Sequence, residues 1–275
     1  MTRLTFFADI AGRLARDAVG SDRMTAAVVA ILTADVDLLR TRMASLPKWR
    51  DCTRGEAESV VRLLESQAAA VSIVSMTKEP EAWERFWESA KPLQAAIVRQ
   101  DNSAAGFVKP ANAVLFGILS HAFPLALGHA VKTGPRTHIL DDSSLEIVER
   151  TIVCDSDIQG DENITVFKSI WEKSDTRQPG ARKLGFRFVT RDVIVATEQN
   201  EPLLLLADYA AGIAHSSLIP DPGRLPFPVA HEPSKVFMRR LQDSGRLVAM
   251  VKPFDLRYDE MFGEDTLAVA RNHAR

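Results

Sequence analysis

Two cysteines in 275 residues, Cys52 and Cys154, are too few and too far apart for a disulfide framework or a metal-ligand spacing. They suit free thiols in a reducing cytoplasm, with one bridge left open, and neither has a neighbouring His or Asp pattern of the kind that activates a nucleophile. Charge of one sign is missing too. Thirty-four basic residues against 36 acidic ones leave a net charge of −2, so no global basic field advertises nucleic-acid binding. Local basic patches are compatible with that balance, and nucleic acid stays open as a partner that net charge does not support. There is no long apolar run free of polar groups. The most apolar window, residues 111–131, carries Asn112, Ser120, His121, Pro124, His129 and two glycines, which argues against a membrane span. It reads as a core helix or as a helix pair broken near Pro124. The opening Met-Thr-Arg-Leu-Thr-Phe-Phe-Ala-Asp meets an acid too soon for the apolar core of a signal peptide. Internal repeats and low-complexity tracts are absent. What remains is a cytoplasmic chain at the upper size for one core, with a hydrophobic content of 46% that is ordinary for a soluble globular protein.

The stretch around which the rest is organised is Pro202 to Ser217, Pro-Leu-Leu-Leu-Leu-Ala-Asp-Tyr-Ala-Ala-Gly-Ile-Ala-His-Ser-Ser. Proline at the first position and a run of good helix formers mark a helix start. Apolar residues wrap nearly the whole circumference, so the helix is expected to be buried. One carboxylate, Asp208, sits in its middle, and a buried carboxylate is costly without a partner or a metal. Two further acids follow short apolar strands, Asp9 after Leu4–Ala8 and Asp141 after Thr137–Leu140. Three acids so placed could converge on a divalent cation.

The remaining chain alternates strands and helices. Leu4–Ala8 and Met24–Leu32 read as an antiparallel hairpin, followed by helices over Asp35–Ser45 and 55–67 and a strand over Ala70–Met76. Glu81–Arg99 carries Trp83, Phe86 and Trp87 at helical spacing and is expected to break at Pro92. A strand over Arg136–Leu140, helices over Ser143–Thr151 and Thr165–Lys173, and a strand over Lys183–Thr190 complete the α/β pattern. From Leu218 on, Pro220, Pro222, Pro226, Pro228 and Pro233 mark an extended linker. A short helix near Ser234–Ser244 and a tail with Leu247–Val251 and Phe254 follow.

At several of these residues the chain resembles the domain of unknown function 3800 family, which has an RNase H-like fold. The family opens on a strand ending in Asp-Glu-Ser-Gly, and the corresponding stretch here is Asp9-Ile10-Ala11-Gly12. Its Glu-x-Lys-Trp motif corresponds to Leu46-Pro47-Lys48-Trp49, and its apolar strand ending in Asp-Glu to Ile139-Leu140-Asp141-Asp142. Its Leu-Gln-x-Ala-Asp-hydrophobic-x-Ala-Gly helix corresponds to Leu204–Gly212, with Leu205 in place of Gln. The last piece is the most specific, and the match covers residues 4 to about 217.

The resemblance implies an RNase H-like mixed β-sheet of about five strands flanked by helices over residues 1–217. Residues 218–275 would then be a Pro-rich linker and C-terminal extension packing on that domain. It also implies Asp9, Asp141 and Asp208 as catalytic ligands of Mg²⁺ or Mn²⁺ for phosphodiester hydrolysis, the two-ion chemistry of RNase H-type nucleases. Lys48 and Trp49 would contact phosphate and base. Ile10 and Leu46 stand where the family has acids, so weakened activity is expected. The alternatives are an inactive binding or assembly module on the same fold and a hydrolase of smaller phosphates. Bland readings accompany each residue: turn formation for Asp9, helix capping for Asp141, an arginine pair for Asp208, and packing for Trp49. His215 reads as a helix C-terminal histidine, with a proton shuttle as the alternative, and Glu198 and Glu201 as acids favoured by the helix macrodipole, with a metal role as the alternative.

Overall fold

The computed structural model describes residues 2–12, 22–100, 110–133, 146–156, 164–165, 167–168, 171, 186–218 and 231–256. Its centre is one sheet of six strands. These are β1 (Thr2–Gly12), β2 (Arg23–Leu32), β3 (Ala68–Thr77), β4 (Glu146–Asp155), β5 (Phe186–Ala196) and β6 (Leu247–Pro253). The strand order is β5-β4-β1-β2-β3-β6. β1, β2 and β3 pair antiparallel, whereas β4 lies parallel to β1, β5 parallel to β4 and β6 parallel to β3. The expected α/β class, a mixed sheet flanked by helices, holds, with six strands in place of about five.

The central strands are buried on both faces, so β1 and β2 show continuous apolar runs rather than alternation. Alternation survives in which helix layer each side chain meets. Leu4, Phe6 and Ala8 join Trp83, Phe86 and Phe123 beneath α3 (Pro80–Gln100) and α4 (Pro110–Thr133). Phe7, Val29 and Ile31 face the other way. They pack under α1 (Val36–Met43), α2 (Arg54–Gln67), α5 (Leu204–Leu218) and α6 (His231–Asp243). α2 starts on a reciprocal cap: Thr53 Oγ1 accepts from the Glu56 N–H, and the Glu56 carboxylate accepts from the Thr53 N–H at 2.7 Å. α4 is a core helix. Ser72 of β3 donates to the Ala122 carbonyl at 2.7 Å, and the helix stays unbroken through Pro124.

Several readings are corrected. The helix expected over Ser143–Thr151 is replaced from residue 146 on by a strand, because Glu146–Asp155 form β4. Its Ile-Val and Thr-Ile-Val runs favour the extended chain and outweigh the cap-like Asp-Asp-Ser-Ser before them. The strand over 136–140, and Asp141 with it, lies outside the described residues. α3 runs unbroken through Pro92. The helix covering Thr165–Lys173 is seen only at residues 164, 165, 167, 168 and 171, which are helical. The Leu247–Val251 tail is a sheet strand, β6, with Leu247 opposite Val71. The proline-rich residues 219–230 lie outside the described residues.

Candidate metal centre

In the parallel β1–β4 pair Ala8 lies opposite Cys154, so the next positions, Asp9 and Asp155, sit side by side. Strand alternation puts both on the α5 face, in line with Phe7 and Val153. Asp155 pairs in turn with Ala196 at the end of β5, and Glu198 follows two residues on. Three adjacent parallel strands thus bring one acid each to one edge of the sheet. One carboxylate oxygen from each lies within 4.8 Å of the other two. Asp9 is buried, and the other two are partly buried. The Ile10 and Ser156 N–H groups donate to Asp9 and Asp155 at 2.6 and 2.7 Å.

Asp208 approaches from α5. Its Oδ2 accepts the Trp49 N–H at 2.7 Å. Burial, then the charges of Glu198 and Asp155, raise its pKa to about 6 against the opposing pull of the Trp49 N–H and Lys48. Lys48, on the turn before Trp49, forms an ion pair with Glu198. Burial works against its charge, yet Glu198, Asp155 and Asp208 together hold its ammonium above the usual lysine value. Beneath the acids the Cys154 thiol is pushed well up by burial and by the charges of Asp9 and Asp155. It is inert as a nucleophile.

The loop carrying Lys48 is clamped to α5. The Trp49 indole lies on Gly212, where an added Cβ would meet the ring at 2.0 Å. Tyr209 packs edge-on against it at 5.7 Å between centroids, and its hydroxyl donates to the Pro47 carbonyl at 3.0 Å. The Ala-Asp-x-x-Ala-Gly helix therefore has a structural use: Gly212 admits Trp49, and Asp208 caps its backbone. Gly12 is needed for a similar reason. Its φ is +79°, and a Cβ there would meet His215 at 2.4 Å. His215 is buried, lies 3.3 Å from Thr25 Oγ1, and has its pKa lowered to about 4 by desolvation and by Arg23.

Of the residues expected from the sequence, Asp9 lies in the acidic cluster and Asp208 adjoins it, while Asp141 falls outside the described residues. Trp49 is corrected as a base contact, because it is 2% exposed and its ring faces α5. Ile10 is corrected as the place of a lost ligand: it points to the opposite face and packs against the α4 cluster. Leu46 and Leu205 serve the α5-side core. Asp155 is the cluster member that the sequence reading does not name, and Glu198 takes the place that reading gives only as the alternative to a helix-dipole acid. The rule that picked Asp9, an acid ending an apolar strand, finds Asp155 as soon as Thr-Ile-Val-Cys is taken as strand.

A divalent cation fits these donors. They are all carboxylate oxygens, which suit hard cations. At ligand distances of about 2.0–2.1 Å, two oxygens on opposite sides of Mg²⁺ stand roughly 4 Å apart, close to the spread observed.

No protein-family model and no curated protein matches the chain. Among solved structures it is similar to a chain of the PCNA:RNase HII complex from Archaeoglobus fulgidus, at 14% identity and a TM-score of 0.38. That overlap covers 90% of this chain and 92% of the other. It is also similar to the ribonuclease H2 from Pyrococcus horikoshii OT3, at 12% identity and a TM-score of 0.37, covering 99% of both chains. The strand order and register above, rather than these overlaps, describe the fold.

Proposed function

We propose that the chain is a cytoplasmic, divalent-metal-dependent phosphodiester hydrolase acting on nucleic acid, allied to the domain of unknown function 3800 family. The observation that carries this reading is the meeting of Asp9, Asp155 and Glu198 within 4.8 Å at one sheet edge. Asp9, Asp155 and Glu198 would ligate Mg²⁺ or Mn²⁺, and Asp208 would stand beside them and fix the Trp49 turn. Once bound, the ion would supply an activated water and charge stabilisation for the departing oxygen. Lys48 neutralises part of the acidic charge and offers a cation to an incoming phosphate. The neutral thiol of Cys154 takes no part.

The test is cleavage of single- and double-stranded DNA and RNA with Mg²⁺ and with Mn²⁺. Wild type is compared with Asp9→Asn, Asp155→Asn and Glu198→Gln. Wild type should cleave and each variant should lose at least about two orders of magnitude, as removal of a positioned charged group typically does. Equal cleavage by wild type and all three variants would remove the reading. One observation favours a second reading, an inactive binding module: the Lys48 ammonium already pairs with Glu198. Absence of cleavage together with Mn²⁺-independent nucleic-acid binding would favour it.

A further inference from the structure

At the far end of the same two strands the charge pattern is reversed. Arg3 of β1 lies opposite Glu149 of β4, six residues before Asp9 and Asp155, hence about 20 Å from the acidic cluster along the strands. Glu149 is 5% exposed although charged. One of its oxygens accepts from Arg3 Nε at 2.9 Å, and the other pairs with Arg191. Arg191 holds the Glu149 carboxyl below its usual range, so it stays ionised.

The placement of Arg191 is a feature of the backbone. In the β4–β5 ladder Arg150 pairs with Thr190 and Thr151 with Asp192, which leaves Arg191 as the extra residue of a bulge. Bulges re-aim side chains and recur beside functional sites. Both arginines keep most of their surface open, with side chains 63% and 61% exposed. Glu149 is the acid that each of them meets among the described residues. Arg3 uses only Nε and Arg191 only one Nη, so further N–H donors on each guanidinium remain for a ligand. Between them lies a cavity of about 310 Å³ lined by Arg3, Leu4, Thr33, Glu149, Thr151 and Arg191. That volume is at the lower end for small-molecule sites.

We infer that this cavity binds a small phosphorylated molecule, its phosphoryl oxygens taken by Arg3 and Arg191 and by the hydroxyls of Thr33 and Thr151. Two guanidinium forks against one carboxylate leave a net positive charge, and the planar fork matches phosphoryl oxygens in pairs. Glu149 orients both forks and also competes with the ligand for them. This inference does not depend on the acidic centre.

The experiment is calorimetric titration of the full chain with inorganic phosphate in the presence of a chelator, so that no metal-held phosphate contributes. ³¹P line broadening is the second readout. Wild type should bind saturably. Arg191→Gln and Arg3→Gln should each weaken binding roughly tenfold, the loss expected for one charge-assisted contact. Glu149→Gln should tighten binding several-fold, because it removes the competing charge while keeping the hydrogen-bonding shape. This last variant separates the inference from a structural triad, which predicts no phosphate affinity to improve. Absence of saturable binding by wild type, tighter binding of acetate than of phosphate, or indifference to all three substitutions would each overturn it. Should an arginine variant fail to fold, Glu149→Gln decides alone.

Discussion

Asp208 and Glu149 are both acids drawn into the body of the protein, and they titrate in opposite directions. Glu149 stands between two guanidinium groups, and its carboxyl is held below the usual range. Asp208 has one backbone N–H and a lysine shared with Glu198, while two other acids face it, and its pKa rises to about 6. The sheet thus balances charge at one end of β1 and β4 and concentrates it at the other. Burial raises the carboxyl pKa in both places and is the main cause at Asp208, whereas at Glu149 the guanidinium groups overturn it. Carboxylates gathered at the ends of neighbouring strands are what a cation-binding edge requires, whereas Glu149 is an acid answered by two arginines.

The sharpest way to break this contrast leaves every charge in place. Gly212→Ala puts a methyl group where the Trp49 ring lies, 2.0 Å away, and must displace the turn that carries Lys48 and caps Asp208. Overpacking of this kind should cost about 3 kcal/mol in chemical denaturation. It should also impair metal binding at the acidic end while leaving phosphate binding at the arginine end unaltered.

Asp208→Asn should do the reverse and stabilise the metal-free protein. The folded-state pKa of about 6 lies roughly two units above the ordinary 3.8, which at 1.36 kcal/mol per unit is about 3 kcal/mol at most. Because that pKa is raised, the wild-type penalty is absent below about pH 4. It grows between pH 4 and 6 and is fully present above pH 6. Melting curves of wild type and variant should therefore converge in acid and separate above pH 6, with the variant higher. A variant that melts lower at pH 8 would make Asp208 a structural ion-pair partner.

A smaller effect is expected from Lys48→Met. Lys48 is 42% exposed, so solvent screens its pair with Glu198 and stability should fall by less than about 1 kcal/mol. Its loss should nevertheless raise the affinity for Mn²⁺, because a cation that shares Glu198 with the metal is gone. Unchanged Mn²⁺ affinity would mean that Lys48 does not share the site.

How much of this was legible in the sequence follows from where the signals were local. The helix expected from Pro202, the β1–β2 hairpin and the helix expected over 55–67 are signalled by local residues, and the structure has all three. Asp208 stood out because an acid within an apolar helix conflicts with its surroundings. β4 is masked in the sequence by the cap-like Asp-Asp-Ser-Ser that precedes it, and Asp155 is masked with it. Glu198 lies past the end of β5, and only the parallel pairing of β1, β4 and β5 brings it to Asp9. That pairing spans nearly 190 residues, and no local pattern encodes it. The role of Trp49 was masked for the same reason, since the residue that buries it, Gly212, is more than 160 positions away.

The most direct measurement is a Mn²⁺ titration followed by electron paramagnetic resonance on wild type, Asp9→Asn, Asp155→Asn, Glu198→Gln and, as the control acid, Glu149→Gln. Saturable binding by wild type and Glu149→Gln, weakened at least about tenfold in each of the other three, is the predicted result. Equal binding by wild type and Asp155→Asn, or no saturable binding by wild type, would contradict a cation centre at this edge of the sheet.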